Sequence, residues 1–150
     1  MYRYLIGIDP GGTTGICVLR ANHNGVWKVM STSQVSSLFN LRVHMNLSRV
    51  IQQPCVVMES VIMHGSLTAG KAAQLKAVGV IESTGQTVLT VTPEERGRVK
   101  KVPKYITGDH AKDAYRVAVA FALKKGLMTQ DDTEYLLTET GRWNTETDSD

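Results

Sequence analysis

The sequence predicts an α/β fold in which a five-stranded mixed sheet is flanked by helices. Three observations predict it. Three strand-like runs separated by turn residues stand first, two more apolar runs then alternate with segments of helical spacing, and the longest helical pattern follows the last strand.

The elements follow in order. "YRYLIGID" reads as the first strand, "GICVLR" as the second and "GVWKVM" as the third, with "PGGTT" and "ANHNG" turning between them. That is an antiparallel meander. From about Ser33 to Gln53, the positions Val35, Leu38, Leu41, Met45 and Val50 predict a helix ended by Pro54. "CVVME" is a continuous apolar run, as in a strand covered on both faces. "SVIMHGSLTAG" has loop character, and "KAAQLKAVGVIEST" reads as a helix closed by Gly85, with Ala72, Ala73, Ala77 and Gly79 allowing close packing. "TVLTV" is the fifth strand.

Thr92 as N-cap, Pro93 at the first helical position and Glu95 at the third predict a short helix running into "RGRVKKVPK". "DHAKDAYRVAVAFALKKG" is the strongest helix, with Lys124 and Lys125 in its last turn and Gly126 beyond. "QDDTEYLLTET" forms a final short helix before a polar tail, "NTETDSD", that is expected to be disordered. Residues 1–128 are thus expected to form one domain, and 129–150 a short helix with an acidic tail.

Composition limits the function classes. At 150 residues, 42% hydrophobic and 21% charged, this is the profile of one soluble globular domain. No apolar run approaches the roughly 18 residues of a membrane span, so no membrane partner is expected. The start "MYRYLIGID" holds an acid within its apolar stretch and lacks a cleavage site, unlike a signal peptide. Cys17 and Cys55 lie in apolar runs and read as small buried hydrophobes of a reducing, cytoplasmic compartment.

The net charge of +3 divides unevenly: seven acids and one base from Asp131 onward leave sixteen bases and seven acids, a net of +9, in residues 1–130. A basic body suggests a polyanionic partner, of which nucleic acid is the commonest. A lysine-rich solvated surface is the plainer alternative.

The few acids of that body are placed unevenly too. Asp9 ends the first strand and Glu59 the fourth, each behind an apolar run, so each is expected near a sheet end where an unpaired charge is costly. His110 and Asp113, three apart, share a face at the start of the long helix, with Asp109 at or just before its cap. Carboxylates with an imidazole suit Mg²⁺ or Mn²⁺. Two such ions about 3.5–4 Å apart serve phosphodiester hydrolysis, and the glycine-rich turn after Asp9 would let a phosphate approach. Taken singly, Asp9 also suits a turn, Glu59 a strand-end ion pair, Asp109 an N-cap, His110 a surface position and Asp113 a favourable place in a helix dipole. Glu82, His44 and His64 read as surface residues. The joint pattern is what points to a site.

The arrangement of elements resembles the ribonuclease H-like fold, with strand order 3-2-1-4-5. "GIDPGGTTG", "VVMES" and "DHAKDA" together resemble the signature segments of RuvC-type Holliday junction resolvases, particularly the compact phage-encoded ones, over about Tyr4 to Gly126. The resemblance implies a homodimeric endonuclease, acting in a cytoplasm, that cuts four-way DNA junctions by paired nicks with two Mg²⁺ or Mn²⁺ ions. By position, Asp9 would bridge both metals, Glu59 would be the second ligand, and His110 and Asp113 the third and fourth. Direct metal contact by Asp109 is the lesser reading.

Arg96, Arg98, Lys100, Lys101 and Lys104 lie where such proteins face DNA and are candidate phosphate contacts. Lys112 is a candidate for the scissile phosphate or a plain solvent-facing lysine. Where bacterial members carry an aromatic wedge, this chain offers only Ile62 and Met63. Sugar kinases and actin-like ATPases share the opening motif, but they close two domains over a nucleotide and this chain has no second phosphate loop; no nucleotide cofactor is expected. Other branched DNA, such as flaps and forks, and a non-catalytic branched-DNA-binding module remain as rival readings.

Overall fold

A computed structural model of the chain describes residues 2–48, 54–60 and 67–148. The opening meander is β1 (Tyr4–Asp9), β2 (Thr14–Ala21) and β3 (Trp27–Val35). Next come α1 (Leu38–Ser48), β4 (Pro54–Glu59), α2 (Ala69–Ser83) and β5 (Val88–Val91). The chain closes with α3 (Pro93–Gly97), α4 (Asp109–Lys124), α5 (Gln130–Leu136) and a 3-10 turn, Glu139–Gly141. The sheet order is β3-β2-β1-β4-β5, as expected, with β1 antiparallel to β2 and parallel to β4.

Strand parity divides the core between two faces. Leu5, Cys17, Leu19, Cys55 and Val57 pack beneath α4 with Ala114, Tyr115, Ala118 and Phe121. Ile6, Ile8, Ile16, Val56 and Met58 point the other way, onto Leu41 and Met45 of α1 and Ala77 and Ile81 of α2. Both cysteines are buried and free.

Two expectations need correction. The helix expected from Ser33 starts only at Leu38, because Ser31–Val35 continue β3 and pair with β2 from Val18 to Thr14. Ladder bonds along that edge, with Val35 buried opposite Thr14, outweigh the helical spacing that Val35 shared with Leu38 and Leu41. Ser37 then opens α1, its hydroxyl accepting from Asn40 N at 3.1 Å. Val50 and Gln53 of that expected helix lie outside the described residues, as do Ile62, Met63 and His64.

The tail is the second correction. Arg142 bridges to Val29, Trp143 N donates to Val29 O at 2.8 Å, and Asp148 is buried against Lys28 at 2.8 Å. A paired, hydrogen-bonded carboxylate anchors residues 144–148 where the composition alone suggested a free polar tail.

Candidate active site

Parity also decides where the acids go. In β1, Leu5 and Gly7 face α4, and so must Asp9; in β4, Cys55 and Val57 face α4, and so must Glu59. The two strands are parallel with Ile8 beside Met58, so both carboxylates emerge at the same sheet end under the start of α4.

What brings α4 close enough is the absence of side chains. A Cβ on Gly7 would run into Ala114 O, and one on Gly15 into His110 O. The helix therefore rests on bare backbone at β1, which carries Asp9, and at β2 beside it. Its N-terminus is fixed from β3. Gly108, the N-cap, offers no side chain, and Gln34 Oε1 accepts from His110 N at 3.0 Å and Ala111 N at 3.2 Å instead. Asp109, expected at the cap, is the first helical residue and exposed.

Within this frame, His110 Nδ1 lies 3.2 Å from Asp9 Oδ2. Arg96, at the end of α3, sits between two carboxylates: its Nε is 3.0 Å from Glu59 Oε1 and its Nη1 3.0 Å from Asp113 Oδ2. The Nε contact is a charge pair without hydrogen-bond alignment, whereas Arg116 Nη1 donates to Asp113 Oδ1 at 2.7 Å. The capping box places Arg96: Thr92 Oγ1 accepts from Glu95 N, Glu95 Oε1 accepts from Thr92 N, and Glu95 pairs with Lys124 of α4.

Burial pushes the Asp9 carboxyl above its ordinary range, opposed by the His110 hydrogen bond and reinforced by the charge of Asp113. Glu59 is raised by burial as well, pulled back by Arg96 and lifted again by Asp9 and Asp113.

Three carboxylates and an imidazole are the donor chemistry of a hard divalent cation, and in that sense the residues fit one. Among the described residues, however, no group of three or more His, Cys, Asp or Glu side chains forms a ready-made ligand cluster. Arg96 lies where Glu59 and Asp113 would converge.

The structure thus brings Asp9, Glu59, His110 and Asp113 to one edge. It leaves Arg98, Lys100, Lys101 and Lys104 exposed on the loop after α3, with Lys112 partly exposed on α4. Arg96, expected among the outward-facing cations, turns inward. Sequence reasoning missed Gln34 and Arg116, and also Lys71, whose charge acts on Glu59. Of these, only Arg116 carried a signal, its three-residue spacing from Asp113. Among the described residues, no helix is long and apolar enough to cross a membrane.

No protein-family model matches the chain, and no curated protein matches it in sequence. Solved structures match it in fold. Thermus thermophilus RuvC in complex with Holliday junction substrate is 13% identical with a TM-score of 0.64, covering 84% of this chain and 98% of that one. A second structure of Thermus thermophilus RuvC is 15% identical with a TM-score of 0.63, covering 83% of this chain and 97% of that one. At these identities the likeness is one of architecture: the chain has the ribonuclease H-like fold of RuvC.

Proposed function

We propose that this protein is a divalent-metal-dependent endonuclease selective for branched DNA, resolving four-way junctions by paired symmetric nicks as a homodimer. The observation that carries the reading is the convergence of Asp9, Glu59, His110 and Asp113 at one sheet end of a ribonuclease H-like fold. The solved neighbour of that fold was captured with Holliday junction substrate.

Asp9, Glu59, His110 and Asp113 would hold Mg²⁺ or Mn²⁺. When bound, such ions activate water and stabilise the leaving oxygen of a phosphodiester. The chain's own groups supply the rest. Asp9 and Glu59 stand in a dry setting, with side chains only 13% and 10% exposed, where electrostatic contacts are strong. His110 is oriented by the Asp9 carboxylate at 3.2 Å and by its helix start on Gln34. Exposed Lys100, Lys101 and Lys104 would carry DNA phosphates towards this edge.

The homodimer has support in an unpaired apolar stripe on α1. Phe39 is 75% exposed and Leu47 62%, with Val43 between them at four-residue spacing. A second copy covering that stripe would set two sites in fixed relation, as paired nicking demands.

The test is a substrate panel. Purified protein is incubated with end-labelled four-way junction, flap, fork and linear duplex in Mg²⁺ and in Mn²⁺, while sedimentation reports the oligomeric state. The reading expects two symmetric nicks in the junction and a dimer. Equal cutting of flaps or forks would replace junctions as the substrate. Tight junction binding without cutting in either metal would identify an accessory module instead.

A further inference from the structure

Arg96 occupies an unusual place for a member of a basic loop. Its guanidinium stands 3.0 Å from Glu59 and 3.0 Å from Asp113, so the cluster already contains a cation that joins two of its acids. Asp113 has a second partner in Arg116, at 2.7 Å. Glu59 makes its close charge contact with Arg96, although Lys71 also acts on it at longer range. A guanidinium between two carboxylates does two things. It offsets the repulsion among Asp9, Glu59 and Asp113, and it repels any further cation drawn to the same oxygens.

Arg96 also has somewhere to go. It borders an open cavity of ≈ 280 Å³ lined by Gly97, Val99, Lys100, Asp113 and Arg116. Its backbone is held by the Thr92–Glu95 capping box and not by the acids, so the side chain can swing without unseating α3. The residue that follows, Gly97, has nothing within 4 Å of where a Cβ would stand. Its Nε contact with Glu59 is a charge pair without hydrogen-bond alignment.

We propose that Arg96 is a resident counter-ion of the carboxylate cluster, displaced from Glu59 and Asp113 when a divalent cation binds there. The proposal rests on the metal-binding reading above and adds a regulated step to it. In the metal-free protein Arg96 keeps the acids together and closes the site to stray cations. On displacement its charge moves into the cavity beside Lys100, on the side of the basic loop, where a DNA phosphate can take it up. Metal entry and DNA engagement would then favour one another.

Calorimetric titration of metal-free protein with Mn²⁺ tests this without any measurement of cleavage. Arg96→Gln should bind Mn²⁺ about tenfold more tightly than wild type, since the competing charge is gone; that factor is ~1.4 kcal/mol. Its Tm in EDTA should fall and should recover on adding Mn²⁺. Lys125→Gln, an exposed position at the far end of α4, should bind as wild type does. Equal or weaker Mn²⁺ binding by Arg96→Gln, with wild type binding normally, would overturn the proposal and make Arg96 a fixed tie that holds the ligands in place. If neither protein binds Mn²⁺, the metal-dependent reading fails, and this inference with it. Should Arg96→Gln not fold, Arg96→Met, which also removes the charge while keeping an unbranched side chain, carries the same comparison. Affinity between the wild-type value and a tenfold gain supports displacement, and equal or weaker affinity overturns it.

Discussion

Gln34 and His110, 76 residues apart, are joined where the β3 side-chain oxygen accepts the His110 backbone N–H at 3.0 Å. The same oxygen accepts from Ala111 N at 3.2 Å, so one amide caps the helix that carries half of the candidate site. Gln34→Ala leaves two helix-terminal donors without this partner. The expected loss is about 1 kcal/mol of stability, typical of a removed N-cap, measured by urea denaturation. Junction nicking should fall by more than stability alone explains, because His110 and Asp113 lose their anchor. Nicking unchanged by the substitution would show that the cap does not position them.

Gln34 also marks where the sequence stops being legible. Asp9 and Glu59 were readable because each ends an apolar run, and strand parity then fixes its face. His110 and Asp113 were readable because three residues is a helical repeat. Gln34 was assigned to a helix because Val35, Leu38 and Leu41 share a spacing, and only pairing with β2 shows that the first of them belongs to a strand. Arg96 looked like Arg98, Lys100 and Lys101. Nothing local distinguishes a cation that turns inward from three that do not, because the acids it meets come from β4 and α4. The glycines behaved similarly. "PGGTT" drew attention as a turn, yet Gly7 and Gly15, inside strands, admit the helix. The tail's anchoring by Lys28 and Asn22 was equally out of reach, since both partners stand more than a hundred residues earlier.

That helix contact gives a second prediction. Gly15→Ala sets a methyl group against the carbonyl of His110, backbone that cannot swing aside as a side chain would. The helix must shift or the strand must bend, at a cost of about 1–3 kcal/mol, the usual range for overpacking. Thermal unfolding measures the cost. A neutral result would mean that α4 does not rest on β2 as described.

The pH dependence of the metal-free protein follows from the two raised carboxyls. Asp9 faces His110, Asp113 and Arg96; Glu59 faces Arg96, Asp9, Asp113 and Lys71. A carboxyl raised by folding holds its proton more tightly in the folded chain than in the unfolded one. Its protonated form therefore favours folding, and this contribution is lost as pH rises from the ordinary carboxylate range through the raised value. Asp9→Asn removes that loss at one position. In EDTA its Tm should match wild type at acidic pH and exceed it near neutrality. A difference that shrinks as pH rises would contradict the assignment.

The exposed loop after α3 makes a prediction about salt. Lys100→Gln and Lys101→Gln should each weaken junction binding in every sequence context and each reduce the slope of log K against log salt by about 1. Filter binding or anisotropy across a salt series measures it. An unchanged slope would return these lysines to the solvated surface.

The central claim is that the Asp9 edge is the seat of phosphodiester cleavage, and one measurement reaches it directly. End-labelled four-way junction is incubated with wild type in Mn²⁺, with wild type in EDTA, and with Asp9→Asn in Mn²⁺, while binding is followed in parallel. The account predicts paired nicks in the first reaction alone. The Asp9→Asn rate should fall on the order of 10³-fold, the several kcal/mol that a metal site contributes, with junction binding retained. Nicks that persist in EDTA, or at wild-type rate in Asp9→Asn, would contradict it.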